Sequence, residues 1–343
     1  VSYLWGSPNA PRTVSVSIPA SSSILSADHL LPFLQQTYRL GESATCRLIK
    51  AGVNHTYQIT DDERRSVFRV YSLNWRTRTD IAEEIRLLDH LKNGGIPVSY
   101  ALSDNAGQYI QEIDAPEGRR YGVLFSQAEG QKLLTFSGDI HEQLGRTMAR
   151  LHQLTKDFSL NRVTYTTTYL LDDPLPQIAP FLPVDSPEMQ FLRDARDWLT
   201  TELNRADQPQ IRMGAVHLDI WFDNLNIDAS GEATLFDFDF CGNGPLALDI
   251  GYYLMQLHGT EADAAVFQAK KARFLKGYES VQLITDEEKR ILPMLGVAIY
   301  YFYLGVQCAR FDNWSNVFLN EIHLQRLINL RIKRWYDVNE LGR

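Results

Sequence analysis

The chain has 343 residues, 44% of them hydrophobic and 22% charged, which is enough for two domains or one large two-lobed domain. Its 34 Lys and Arg against 42 Asp and Glu leave a net charge of −8, a field that repels nucleic acid and anionic membrane surfaces. The three cysteines, Cys46, Cys241 and Cys308, form no CxxC or Cys/His cluster, which argues against a disulfide framework or structural zinc and fits a reducing, cytoplasmic setting.

Residues 1–25, rich in Ser, Pro and small side chains, read as an N-terminal arm with a short strand at VSVSI. They lack a basic start followed by a long apolar stretch, so no secretory signal is expected. Ser26 stands as N-cap to the helix ADHLLPFLQQTYRL, with Pro32 early in it. From Ala44 the period falls to two. TCRLIKAG and HTYQIT predict strands joined at Ala51-Gly52-Val53-Asn54, and SVFRVYS predicts a third after the polar turn TDDERR. A helix capped at Thr79 or Asp80 follows, IAEEIRLLDHLKNGG, with Ile81, Ile85, Leu88 and Leu91 on its apolar face. IPVSYAL, GQYIQEI and RYGVLFSQAEG predict further strands.

Beyond Gly130 the spacing turns helical. IHEQLGRTMARLHQLT sets Leu144, Met148, Leu151 and Leu154 on one side, with Gly145 and Ala149 small enough for close helix packing. Residues 160–187 hold five of the 14 prolines and predict an irregular surface connection. A helix over 188–206 follows, then a loop and short hairpin from AVHLDIW to TLFDFDF, and helices dominate from Leu246. The apolar run IYYFYLGV at 299–306 falls short of the roughly 20 residues that span a bilayer, so no membrane helix is expected. The fold class is therefore α+β and two-lobed, with a small antiparallel-sheet lobe over 26–127 and a larger, mainly helical lobe over 128–343.

One stretch carries chemistry. His217-x-Asp219 is followed by Asn224, five residues after the Asp, and by Asp237, thirteen residues after the Asn. Phosphoryl transfer needs groups in that order. Asp219, in a loop, can accept a hydrogen bond from a substrate hydroxyl. Asn224 can turn an amide oxygen to a metal without adding charge, and Asp237, at the end of an apolar run, can reach a magnesium ion that bridges phosphates. His217 reads as scaffold, bonding the backbone and shaping the turn. Asp239 would share a face with Asp237 on a continuing strand, as an acceptor or second metal contact or as a plain turn residue. Asp249 reads first as an N-cap and second as a brace for the loop. Trp221, Phe222, Tyr252 and Tyr253 either line an acceptor pocket or belong to the core.

HLDIWFDN and LFDFDFCGNGPLALDIGYYL resemble the catalytic and metal segments of the aminoglycoside phosphotransferase and choline kinase family, which shares the protein-kinase fold. The second segment is most similar to the branch holding type II homoserine kinases and stress-response kinase A. LGRTMARLH and FLKGYES extend the resemblance, which covers about residues 45–310. It implies Asp219 as catalytic base, Asn224 and Asp237 as magnesium ligands, and ATP or GTP as phosphoryl donor. It also implies that AGVNHTYQI (51–59) covers the nucleotide, with Gly52 allowing close backbone approach and Asn54 closing the turn. Arg69 of VFRVY takes the position where the family carries a lysine, paired with Glu84 or, second, Glu83. Adenine is expected against the Phe125 to Ala128 crossover, beside Gln127 and Ala128. Arginine keeps the charge of lysine but differs in reach and geometry. Leu218 is a second departure, where many relatives have glycine after the histidine. The implied function is transfer of the γ-phosphate to a hydroxyl of a small amine-bearing molecule, such as an aminoglycoside, choline or homoserine. A protein Ser/Thr kinase of the stress-response type and a nucleotide-binding pseudokinase are the alternatives. Neither nucleic acid nor membrane is expected as a partner, and the oligomeric state is left open.

Overall fold

The computed structural model describes residues 18–62, 64–133, 135–310 and 319–343. Nearly all of the VSVSI segment, with the rest of residues 1–17, lies outside the described residues. The end of the arm packs on the body: Ser23 Oγ donates to Glu117 Oε2 at 2.6 Å and Tyr57 OH donates to the Leu25 carbonyl at 2.7 Å. Helix α1 (Ala27–Tyr38) then buries Leu30 and Leu34 against Tyr57, Ile59, Phe68, Val70 and Leu124 on one face of a sheet.

That sheet has six antiparallel strands, β1 (Thr45–Ala51), β2 (His55–Asp61), β3 (Arg64–Val70), β4 (Ala101–Leu102), β5 (Ile110–Ala115) and β6 (Gly118–Ser126), in the order β1-β2-β3-β6-β4 with β5 paired to β6. The period of two decides what β3 presents. Phe68 and Val70 go under α1, so Arg69 between them points to the opposite face. The expected IPVSYAL strand shrinks to two residues because its start pairs elsewhere: Ser99 N donates to the Leu235 carbonyl at 2.9 Å.

Helix α2 (Arg78–Asn93) starts earlier than its sequence cap implies. Thr77 is the N-cap, with Asp80 N donating to Thr77 Oγ1 at 3.1 Å and Thr77 N donating to Asp80 Oδ2 at 2.9 Å. Asp80 thus closes a capping box from the third helical position instead of capping the helix itself. Its expected apolar face is buried, and Glu84 is buried on the same helix.

The helical part holds α3 (Gly138–Thr155), α4 (Pro174–Ile178), α5 (Pro187–Asn204), α6 (Ala247–Thr260), α7 (Ala264–Glu279) and α8 (Asp286–Ala309). α3 and α7 touch backbone to backbone: a Cβ added at Gly145 would stand 2.1 Å from the Phe274 carbonyl, and one at Gly277 1.9 Å from that of Glu142. The connection over 160–187 is not a surface one. Leu160, Tyr165, Leu170, Leu171 and Ile178 are buried, and Pro174, which the helix start tolerates, opens α4 against α8. Among the described residues, α8 is the one helix long and apolar enough to cross a membrane, and 78% of its apolar window is buried inside the protein. The run read as 299–306 is one part of this 24-residue core helix. The chain ends in α9 (Glu321–Leu327), a π-helical turn at Ile328–Lys333 and α10 (Arg334–Val338).

Candidate active site

The loop carrying Asp219 runs between two short hairpin strands, β7 (Met213–Val216) and β8 (Leu225–Ile227). β7 pairs with β10 (Gly242–Pro245) and β8 with β9 (Ala233–Leu235). Leu218 sits at φ 69, the left-handed region that favours glycine and costs a larger residue roughly 1–3 kcal/mol. Asp249, fully buried in the first turn of α6, offsets that strain. It accepts from Leu218 N at 2.6 Å, His217 N at 3.0 Å and His152 Nε2 at 3.2 Å. The N-cap position belongs to Leu246, so Asp249 braces the loop and caps nothing. His217 is likewise buried, with Nε2 at 3.2 Å from the Phe236 carbonyl and Nδ1 accepting from Asp219 N at 3.2 Å. Burial holds its imidazole below the usual range, against the opposing charges of Asp249 and Asp237.

Asp219 is gripped from two sides. Tyr252 OH donates to Oδ1 at 2.5 Å and Asn224 Nδ2 to Oδ2 at 2.6 Å. Burial raises its carboxyl to about 7, with the hydrogen bond from Tyr252 opposing and the charge of Asp237 adding. Gln256 Nε2 in turn donates to Tyr252 OH at 2.8 Å. Tyr253 faces away from this chain of bonds, its hydroxyl 2.6 Å from His141 Nδ1. Trp221 lines the cavity beside Asp219, while Phe222 packs on Trp221 beside a smaller one.

Asp237 also adopts the left-handed region, at φ 65, and a 3-10 turn over Phe238–Phe240 follows it. The strand therefore stops, and Asp237 and Asp239 do not share a face. Asp237 keeps a side chain 31% exposed and meets Arg69 Nη2 at 3.0 Å. Arg69 Nη1 meets Glu84 at 2.9 Å, and Tyr71 OH donates to the other Glu84 oxygen at 3.0 Å. Glu83 turns to Arg86 and to Asn161 N instead. Burial works against the Arg69 charge, but Asp237 and Glu84 outweigh it and hold the guanidinium well above its usual range.

Asp239 and Asn54 bond each other. Asp239 is buried and accepts from Trp75 Nε1 at 2.6 Å, Arg76 Nε at 2.9 Å and Asn54 Nδ2 at 3.1 Å. Its carboxylate joins the two halves of the molecule and is not offered to a metal or an acceptor. Asn54 has both ends of its amide engaged as well, since Oδ1 accepts from Ser72 N at 3.3 Å. It anchors the β1–β2 turn within the protein, closing it as expected, and its side-chain amide is spent there.

Two cavities flank this cluster, about 450 and 380 Å³ in volume. They share Lys50, Thr56, Arg69, Asp223, Asn224 and Asp237 as a common wall. Ile49, Val67, Phe125 and Phe236 give the larger one apolar walls beside Gln127 and Ala128. The Ala128 carbonyl is engaged by Asn226 Nδ2 at 3.0 Å, which the sequence reading missed; among the described residues the backbone of Gln127 keeps its hydrogen-bonding groups unpaired. The smaller cavity reaches from Asp219 past Tyr252, Tyr300 and Tyr303 to Gln307 and Arg331. A Cβ added at Gly52 would meet only ordinary contacts, the nearest being Lys50 Cε at 3.5 Å. Nothing in the protein itself requires glycine there.

Asn224 commits its amide nitrogen to Asp219, which leaves the amide oxygen as the free end. With the Asp237 carboxylate it makes a pair of hard oxygen donors, the type magnesium takes while keeping its other positions for water and phosphate. Among the described residues no group of three or more His, Cys, Asp and Glu forms a metal cage, so these residues fit a cation completed by a nucleotide.

A model of the phosphotransferase enzyme family, APH, matches residues 45–284. An uncharacterized protein of Deinococcus radiodurans is 30% identical over 299 residues, 86% of this chain and 85% of its own. A homoserine kinase of Methylobacillus glycogenes is 26% identical over 271 residues, 78% of this chain and 81% of its own. Among solved structures, the amicoumacin kinase hAmiN in complex with AMP-PNP, Ca2+ and Ami superposes with a TM-score of 0.74 at 21% identity, covering 92% of this chain and 94% of the other. That likeness shows the fold.

Proposed function

The chain belongs to the phosphotransferase enzyme family, whose members phosphorylate small-molecule alcohols, and on that premise we propose that it moves the γ-phosphate of ATP or GTP to a hydroxyl of a small amine-bearing molecule, of the aminoglycoside, choline or homoserine kind. The observation that carries this reading is the shared wall between the two cavities, with Asp219 just behind it. The nucleotide occupies the larger cavity, its base beside Gln127 and Ala128 and the Gly52 turn over its phosphates. The acceptor occupies the smaller one. Residues 26–127 then act as the nucleotide-binding lobe and 128–343 as the lobe of catalysis and acceptor binding.

Asp219 is the catalytic base. With Oδ1 and Oδ2 fixed by Tyr252 and Asn224, it orients the acceptor hydroxyl and takes its proton as oxygen bonds to phosphorus and the bond to the leaving diphosphate breaks. Arg69, oriented by Glu84, meets the phosphate charge. Asn224 and Asp237 would hold magnesium, which when bound neutralises the phosphates. His217 and Asp249 support the loop. The 380 Å³ acceptor cavity, walled by α6, α8 and the π-helical turn, has the size for a small molecule, which favours that class of acceptor over a polypeptide. Asp219→Ala should lower kcat about 10²–10⁴-fold with nucleotide binding retained, the loss ordinary for a general base. Full turnover in that variant, followed with labelled ATP, would refute the reading, and so would a wild-type protein that binds nucleotide without transferring phosphate.

A further inference from the structure

The far end of the acceptor cavity carries a charge that the reaction does not use. Arg331 sits on the π-helical turn at Ile328–Lys333, an irregularity frequent at functional positions. Its side chain lines the cavity, and its Nη1 atom is buried without a hydrogen-bond partner among the described residues. Gly259 of α6 makes room for it: a Cβ there would stand 1.5 Å from Nη1. Four carboxylates line the same cavity, and each is engaged elsewhere. Asp219 is held by Tyr252 and Asn224, Asp223 by Lys132, Asp237 by Arg69 and Asp239 by Arg76. The buried Nη1 end of this cation thus faces no free carboxylate, and an anionic ligand would supply the missing partner. Gln307, on α8, adds a second incomplete group. The residue also lines this cavity, and its Oε1 is buried without a partner among the described residues. It calls for an N–H or O–H donor.

Tyr300 ties this end to the reacting one. Burial pushes its phenol up to about 12, with the Arg331 charge pulling it back and the Asp219 charge adding to it. The hydroxyl therefore lies within the field of both groups.

We propose that Arg331 is the acceptor's anion site: the alcohol phosphorylated beside Asp219 carries a carboxylate or a phosphate at its other end, and Gln307 accepts from an N–H or O–H next to that anion. This rests on the acceptor-cavity reading above and narrows it, because an acceptor whose only charge is an amine would meet Arg331 as a like charge. Of the acceptor kinds named, it retains those with an acid group and sets aside the purely cationic ones.

Calorimetric binding in the presence of a non-hydrolysable ATP analogue tests this without requiring turnover. The probes are matched pairs: homoserine and 3-aminopropan-1-ol differ only by a carboxylate, and glycerol 3-phosphate and glycerol only by a phosphate. A wider set of hydroxy acids is run against their decarboxylated counterparts. At least one anionic member should bind tenfold or more tighter than its partner, and which pair shows the preference separates carboxylate from phosphate. Arg331→Gln should erase that preference and leave affinity for the ATP analogue unchanged. Gly259→Ala, which displaces the guanidinium without removing its charge, should weaken the same probe. No anion-dependent binding in the whole set, or a preference that survives Arg331→Gln, overturns the proposal. Activity lost on Asp219→Ala would still stand in that case, so the two readings fail separately.

Discussion

Replacing Asp249 by Asn should loosen the catalytic loop from behind. The carboxylate is fully buried and takes the backbone N–H of Leu218 on one oxygen, and the N–H of His217 and Nε2 of His152 on the other. An amide can offer its single oxygen to one side only, and its NH2 then faces a second N–H. One charge-assisted hydrogen bond, about 1.5–3 kcal/mol, is lost, and a buried N–H is left unsatisfied at about 1–3 kcal/mol. Allowing for relaxation, the variant should lose roughly 3 kcal/mol, a large share of an ordinary 5–15 kcal/mol stability. The melting temperature should fall by about 4 °C, at the unfolding entropy expected for 343 residues. Leu218, held in the left-handed region by the same carboxylate, should relax and carry Asp219 out of line, so kcat should drop at least tenfold while the KM for nucleotide changes little. Thermal unfolding followed by circular dichroism and steady-state phosphoryl transfer check the two halves. An Asp249→Asn protein with unchanged melting and kcat would refute the bracing role.

Two further outcomes follow. Gly52→Ala should fold normally, since an added Cβ meets only ordinary contacts, yet the KM for ATP should rise about tenfold if the turn lies against the phosphates, a difference of about 1.4 kcal/mol; an unchanged KM would show that the turn does not approach the nucleotide. Burial holds His141 down to about 4, with Lys270 lowering it and Glu261 opposing. The unfolded chain therefore binds its proton first, and stability should fall as pH drops from about 6.5 toward 4, by on the order of 2 kcal/mol at pH 5 from this group. Urea midpoints at pH 7.5 and 5 should converge in His141→Gln, and an equal pH dependence in both proteins would count against the shift.

The two-lobed α+β fold was legible because local pattern carries it: alternation through β1 to β3, the apolar stripe of α2, glycine at the α3–α7 contact. The order of His217, Asp219, Asn224 and Asp237 was legible for a similar reason, since they lie on one continuous stretch that folds around a single cavity wall. Partners far apart in sequence could not be read. Asn54 and Asp239 are 185 residues apart, and a turn residue and an acidic residue give no sign that they bond each other. The left-handed backbone at Asp237 ended the strand that would have paired Asp239 with it, and an aspartate gives weak warning of that. Over 160–187, prolines read as loop because they exclude strand and helix interior, whereas Pro174 opens a helix whose apolar residues join the core.

The Asp239 cluster has a consequence for how substrates get in and out. Its partners, Asn54, Trp75 and Arg76, all belong to the strand-rich half, while Asp239 belongs to the helical half and lines the smaller cavity. Swinging the halves apart must break a buried ion pair, a cost of about 3–5 kcal/mol if nothing replaces it. Opening between the two halves is therefore opposed at this ion pair, which ties the turn after β1 and the segment before α2 to the backbone just past Asp237.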